Sequence, residues 1–233
     1  ASDVYKRQAM RRLDEHLGAT CSLFLQGVGG DSKPSAIGRG VDRWKTGTWE
    51  LMEQAGGMIA SEAIAALDGL TQARPQLRSA SVEMEWPLQD IPPRSAFEEV
   101  VAGTPPEECA KNVRCLWARR QLERLDKGTE MPCSVTLTLH GAQLAENVRI
   151  AAIEGEAVAD WGYLIEDFYG GGLTIPLGYT DGTGLYLPVS HMLPEGGYEV
   201  VSYWEYGLPA PLAPGMEDIV RIGLQTMRNE GIV

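Results

Sequence analysis

A chain of 233 residues, 44% of them hydrophobic, has enough apolar material to bury a substantial core, and its length allows one large domain or two small ones. The formal charge of −12 argues against nucleic acid as a partner, because affinity for a phosphate backbone comes mainly from Lys and Arg. No run approaches the roughly 18 consecutive apolar residues of a transmembrane segment, which leaves peripheral membrane contact, and with it lipid substrates, open.

The opening segment Ala1–Gln8, ASDVYKRQ, is abruptly basic in an acidic chain and resembles the translation of a transposase adapter used in sequencing libraries. Fold reasoning therefore covers residues 9–233, with the expectation that a natural N-terminus and any upstream ligands precede Ala9. Met10, Leu13 and Leu17 recur at helical spacing with Gly18 as the C-cap. Thr20–Gln26, TCSLFLQ, is a continuous apolar run that predicts a strand buried on both faces. It leads into Gly27-Val28-Gly29-Gly30-Asp31-Ser32-Lys33-Pro34, where glycines permit a sharp turn that offers N–H groups to an anion or a carbonyl oxygen; a plain surface loop fits the same residues.

Thr48–Leu70 has helical periodicity, and its Gly56-Gly57 pair permits close packing against a sheet. Ser79–Leu88 alternates Val82, Met84 and Trp86 with Glu83 and Glu85, which predicts a half-exposed strand. A loop and short helix reach Pro106, as a connector or a roof over a cleft. Glu107–Lys127 predicts one helix, with Val113, Leu116, Trp117, Leu122 and Leu125 packed and Arg119, Arg120, Glu123 and Arg124 in solvent. Val135–Leu139 and Val148–Ile153 predict a hairpin turning at Gly141-Ala142. A helix over Val158–Phe168, strands at Leu173–Leu177 and Tyr186–Val189, and a helix over Met216–Arg228 complete the chain. This order argues for an α/β or mixed α+β domain with a largely buried central mixed sheet flanked by helices. Cys21, Cys109, Cys115 and Cys133 are too irregular for a disulfide scaffold, and C-x5-C is not a usual zinc spacing; they read as buried or free thiols, with a Cys109–Cys115 bridge as the alternative.

The densest chemistry lies in Arg149–Val201. Glu156 sits just past the apolar run Ile150–Ile153, where rigid backbone holds a carboxylate facing a cleft; a capping role at the following helix suits it too. Gly178–Gly184 reads as a glycine-rich turn delivering Tyr186, and Tyr198 follows Gly196-Gly197. Taken singly, these tyrosines read as core or interface aromatics.

Together these motifs resemble the catalytic domain of the neutral/alkaline (non-lysosomal) ceramidases, from Ala9 to about Met227. FLQGVGGDSKP is similar to that family's GD-x-x-P loop, with Gly30, Asp31 and Pro34 in register. Gly155-Glu156 matches a Gly-Glu pair whose carboxylate binds zinc. Gly178 through Tyr186 matches G-x-x-N-x-x-x-x-Y, which supplies a zinc-bound tyrosine, with Asp181 in place of Asn; Tyr198-Glu199 matches a second active-site tyrosine. The resemblance implies Zn²⁺ held by Glu156 and Tyr186 plus two upstream histidines. It implies catalytic roles for Tyr198, Asp31 and the Ser32/Lys33 position, and substrate contacts at Gly29, Gly30 and Tyr179. The implied reaction is hydrolysis of an N-acyl amide in a ceramide-like lipid, in a secreted or cell-envelope setting. Two departures stand out. The family's serine before the proline is Lys33 here, so either Ser32 serves instead or the substrate differs. His16, His140 and His191 do not match the zinc histidines and read as surface or hydrogen-bonding residues. The 233-residue chain is accordingly expected to be inactive alone, with a non-catalytic lipid- or glycolipid-binding relative, or an amidase or esterase on another substrate, as alternatives.

Overall fold

The computed structural model describes residues 2–18, 22–38, 44–182 and 184–233. By its contacts the chain divides into two units, one comprising Ala1–Gln26 and Ser32–Arg74, the other Gly27–Asp31 and Pro75–Val233.

The smaller unit is built on two helices, α1 (Ser2–Leu17) and α2 (Trp49–Ala66). The helix begins within the adapter-like segment rather than after it. The α2 glycine pair packs against α1, not against a sheet: a Cβ on Gly56 would lie 2.8 Å from the Tyr5 carbonyl oxygen, and one on Gly57 would collide with the Arg12 guanidinium. The strand expected over Thr20–Gln26 is not formed. Residues 22–26 make no ladder and Leu23 is 82% exposed, while Thr20 and Cys21 lie outside the described residues. An apolar run suggests a buried strand only when a neighbouring strand offers it a ladder. Here the single bridge falls one residue later, between Gly27 and Leu177.

The larger unit carries a mixed four-stranded sheet in the order β1 (Pro75–Pro87), β2 (Ser134–Ala145), β3 (Val148–Glu154), β5 (Leu173–Thr180), with a separate parallel pair β4 (Glu156–Ala157) and β6 (Tyr186–Leu187). The first three strands of the sheet run antiparallel, and β3 pairs parallel to β5. Between β1 and β2 come α3 (Arg94–Ala102), α4 (Pro106–Cys109) and α5 (Val113–Asp126). The crossover from β3 to β5 passes through α6 (Ala159–Tyr169); α7 (Tyr198–Val201) and α8 (Met216–Asn229) follow. The expected α/β architecture, a mixed sheet flanked by helices, is the one found. Among the described residues no helix is long and apolar enough to cross a membrane.

Alternation in β1 sorts its side chains as expected. Met84 and Trp86 are buried, while exposed Glu85 accepts hydrogen bonds from Ser134 and Thr136 on β2. Trp86 packs edge-on against Trp161 of α6 at 5.4 Å between ring centroids, and the Trp161 indole N–H donates to the Leu187 carbonyl at 2.9 Å. Both indoles are fully buried with Leu139, Ile153, Ile165, Leu187, Leu224 and Met227. Each such side chain stabilises the fold by roughly 1.5–3 kcal/mol or more.

Three element boundaries differ from the sequence reading. β2 runs straight through Gly141-Ala142, and the hairpin turns at Glu146-Asn147, with Asn147 at φ 60°. Gly141 is small because α8 and the C-terminal residues lie over it: a Cβ there would sit 2.8 Å from Met227 Sδ and 2.9 Å from Ile232 Cγ1. β5 extends to Thr180, three residues past the expected Leu177 end. The long helix over Glu107–Lys127 is two helices. Asn112 accepts the Cys115 N–H at 3.0 Å as N-cap of α5, and a Cys109–Cys115 disulfide spans the break. Val113, at the exposed first position of α5, leaves the packed face that Trp117 and Ala118 form with Phe97 of α3. α3 is thus a connector packed on α5 rather than a roof.

The beginning of α8 is tied to the turn after β6. Ser190 donates its N–H to Glu217 Oε1 at 2.6 Å and its hydroxyl to Oε2, while the Gly215 N–H donates to Ser190 Oγ at 2.8 Å. Partial burial pushes the Glu217 carboxyl up, but the Ser190 hydrogen bonds outweigh it and hold the group below the usual carboxylate range. A carboxyl so depressed contributes stability that is complete above its unfolded-state pKa and is lost as the pH falls through its folded-state pKa. Stability should therefore decline as the pH drops below about 4.3, and Glu217→Gln should weaken the fold at neutral pH and flatten that acid limb; urea midpoints across a pH series measure both. Gly141→Val should lower stability by about 1–3 kcal/mol, read from the same midpoints at neutral pH, because fully buried Met227 and Ile232 have nowhere to retreat.

Candidate functional site

The site begins where β3 ends. Glu154 folds its carboxylate back to accept the Thr138 N–H at 2.8 Å. Gly155 then turns the chain at φ 99°, a conformation that L side chains resist, and a Cβ there would meet the Leu185 carbonyl oxygen at 3.0 Å. The bend sends the chain into β4, whose Glu156 stands in register with Tyr186 of β6. The Glu156 N–H donates to Leu185 at 2.8 Å, and the Val158 N–H to Leu187 at 3.2 Å.

Around Glu156 the fold gathers four phenols. Tyr179, at the end of β5, donates its hydroxyl to Glu156 Oε1 at 3.1 Å. Tyr186 stands beside the same carboxylate, in register across the β4/β6 pair. The Tyr198 ring stands edge-on to Tyr186 with centroids 5.3 Å apart, and the Tyr206 ring does so at 6.4 Å. Burial and then the neighbouring Glu156 charge raise Tyr179 well above the ordinary phenol range; burial and then the hydrogen bond to Glu156 raise Tyr186 likewise. Tyr206 is pushed up to about 12, by burial first and the Glu156 charge second. All three phenols are therefore protonated donors at neutral pH. Tyr198, 51% exposed, is raised chiefly by its own partner: its hydroxyl donates to Glu205 Oε2 at 3.0 Å.

The glycine-rich loop reaches this carboxylate through its backbone. The Gly30 N–H donates to the Ala157 carbonyl at 2.8 Å, and a Cβ on Gly30 would lie 2.6 Å from the Glu156 carbonyl oxygen. Asp31 Oδ1 accepts the N–H of Ala159, the first residue of α6, at 2.9 Å. Asp31 is thus the residue that satisfies the start of α6 and answers its partial positive charge. Glu156, for which capping was the competing expectation, leaves that N-terminus alone and faces the tyrosines. Gly29 belongs to the same loop segment in the larger unit. Ser32 and Lys33 belong to the smaller unit, where Ser32 is exposed and the Lys33 ammonium lies 5.0 Å from the Trp44 ring centroid, within cation–π range.

Histidines stand elsewhere. His140 on β2 pairs with Asp181, the residue that replaces Asn in the motif, and His191 Nε2 lies 3.7 Å from Asp160 Oδ2, while His16 is exposed. Among the described residues no group of three or more His, Cys, Asp or Glu is placed to hold a metal ion. Glu156 and Tyr186 are adjacent oxygen donors of a kind zinc accepts, but catalytic zinc usually takes three protein ligands. They fit as part of a set and not as a complete one. Sequence reasoning missed Tyr206 and Glu205; the aromatic-rich run Tyr203-Trp204-Glu205-Tyr206 was the available signal.

Comparison with protein-family models, with curated proteins and with solved structures found no match for this chain.

Because the Glu156 backbone occupies the space a side chain would need, Gly30→Ala should displace the loop and lower stability by about 1–3 kcal/mol, measured by urea unfolding.

Proposed function

We propose that this chain forms part of a zinc-dependent hydrolase of the neutral/alkaline ceramidase type, acting on an N-acyl amide in a ceramide-like lipid. The observation that carries the reading is the register Glu156 to Tyr186 across the β4/β6 pair, which sets the carboxylate beside the phenol, with the Tyr198 ring 5.3 Å from Tyr186. A carboxylate and a tyrosine separated by a helix and a strand in sequence stand side by side, in the order the resemblance requires.

In this reading Glu156 and Tyr186 supply two of the zinc ligands, and the remaining ligands come from outside the described residues. Bound there, zinc would polarise an amide carbonyl and lower the pKa of a water toward 7. The chain's own residues prepare the surroundings. Glu156 keeps the Tyr186 proton until a cation displaces it, so ligation by this phenol releases a proton and weakens as the pH falls. Tyr198 is the donor nearest to Tyr186, and Glu205 holds its hydroxyl until a substrate oxygen competes for it. The GD-x-x-P loop supports β4 through Gly30 and α6 through Asp31, which makes positioning rather than proton transfer the role of Asp31.

A second reading, a non-catalytic lipid- or glycolipid-binding relative, draws on Lys33. It stands where the resemblance puts a serine, and its ammonium engages Trp44. The 233-residue chain should cleave no fluorogenic ceramide and bind zinc only weakly, and Glu156→Gln or Tyr186→Phe should abolish that weak binding. Tight stoichiometric zinc in metal analysis of the isolated chain would overturn the incomplete ligand set, and weak binding indifferent to both substitutions would count against Glu156 and Tyr186 as zinc ligands.

A further inference from the structure

We infer that Tyr179 is the positioning residue for Glu156, fixing the carboxylate through Oε1 so that its orientation toward Tyr186 is set before any cation arrives. The inference rests on the zinc-site reading for its purpose, but its geometry stands independently.

Three observations carry it. Tyr179 adopts φ 62°, a left-handed conformation uncommon for residues other than glycine and least comfortable for bulky ones. Such strain persists only where surrounding contacts over-determine it, and it concentrates at functional sites. Second, the contacts that over-determine it all lead to the Glu156 segment. The Tyr179 N–H donates to the Gly155 carbonyl at 2.8 Å, its hydroxyl donates to Glu156 Oε1 at 3.1 Å, and the Gly155 N–H donates to the Gly182 carbonyl at 3.3 Å. Third, the end of β5 is held from its other side. Asp181, also left-handed at φ 56°, pairs with His140 on β2, so Tyr179 cannot relax without disturbing a contact on another strand. The chain therefore keeps a bulky residue where glycine or asparagine would be comfortable, and its hydroxyl is spent on the carboxylate.

A tyrosine retained only for packing would not depend on its hydroxyl, and removing that oxygen separates the two roles. In Tyr179→Phe the ring remains and the hydrogen bond is lost. With carboxyl-labelled glutamate, the Glu156 side-chain resonance should be single and sharp in the unmodified chain, and shifted or broadened in Tyr179→Phe under identical conditions. Zinc affinity should fall roughly 10- to 100-fold, the worth of one hydrogen bond to a charged group, while the near-ultraviolet tyrosinate signal from Tyr186 keeps its form. Tyr179→Asn, which suits the left-handed backbone but cannot reach the carboxylate, should reproduce both effects, and circular dichroism reports whether each variant folds. An unchanged Glu156 resonance in a folded variant overturns the positioning role. Zinc binding indifferent to Glu156→Gln, with the resonance still sensitive to Tyr179→Phe, overturns the zinc reading and leaves the positioning role standing.

Discussion

The two-residue pairing of β4 with β6 is the contact on which the site depends. It is too short to be stable alone, since even isolated hairpins are marginal in water. It exists because Gly155 can bend at φ 99° and because Trp161 of α6 donates to Leu187 from inside the core. The backbone of β6 is thereby anchored by a buried indole that is itself wedged against Trp86. Glu156 and Tyr186 inherit that rigidity, and their contact is a by-product of core packing rather than of any attraction strong enough to assemble the chain.

A carboxylate among four phenols is also an electrostatic arrangement. Burial first, and the neighbouring Glu156 carboxylate second, raise Tyr179, Tyr186 and Tyr206 above the ordinary phenol range. The Tyr179 hydroxyl donates to this carboxylate, in a partly buried setting where an unpartnered charge would be costly. In the proposed zinc reading, a cation that takes Tyr186 as a ligand displaces its phenolic proton. That requirement favours a divalent ion of high field over a monovalent one, because only a strong local charge inverts the preference of a phenol for its neutral form.

The glycine-rich loop shows how one motif can serve support. Gly30 is needed because the β4 backbone passes where a side chain would go, and Asp31 answers the N-terminus of α6. Both contacts prop the segment that carries Glu156. A loop that looks chemical from its composition is, over Gly27–Asp31, a brace for the carboxylate beside it.

Much of the fold could be read along the chain. The alternation of β1, the periodicity of α6 and α8, and the order of strands and helices all follow from local patterns of burial, and these specified the mixed sheet. Glu156, Tyr186 and Tyr198 were likewise legible as candidates, because glycines and a preceding apolar run mark where rigid backbone delivers a side chain. What the sequence could not determine depended on partners distant in the chain. Gly141 looked like a turn residue, yet its smallness answers α8, which lies over it; the apolar Thr20–Gln26 run promised a strand whose neighbour never comes. The capping contact that also suited Glu156 falls to Asp31 for the same reason: both are carboxylates near the start of α6, and only the tertiary path decides which oxygen reaches the Ala159 N–H and which faces Tyr179. The sequence by itself determined which residues can do chemistry and which elements carry them. The tertiary structure alone decided their partners, because hydrogen-bond geometry and close approach are properties of distances that no spacing along the chain encodes.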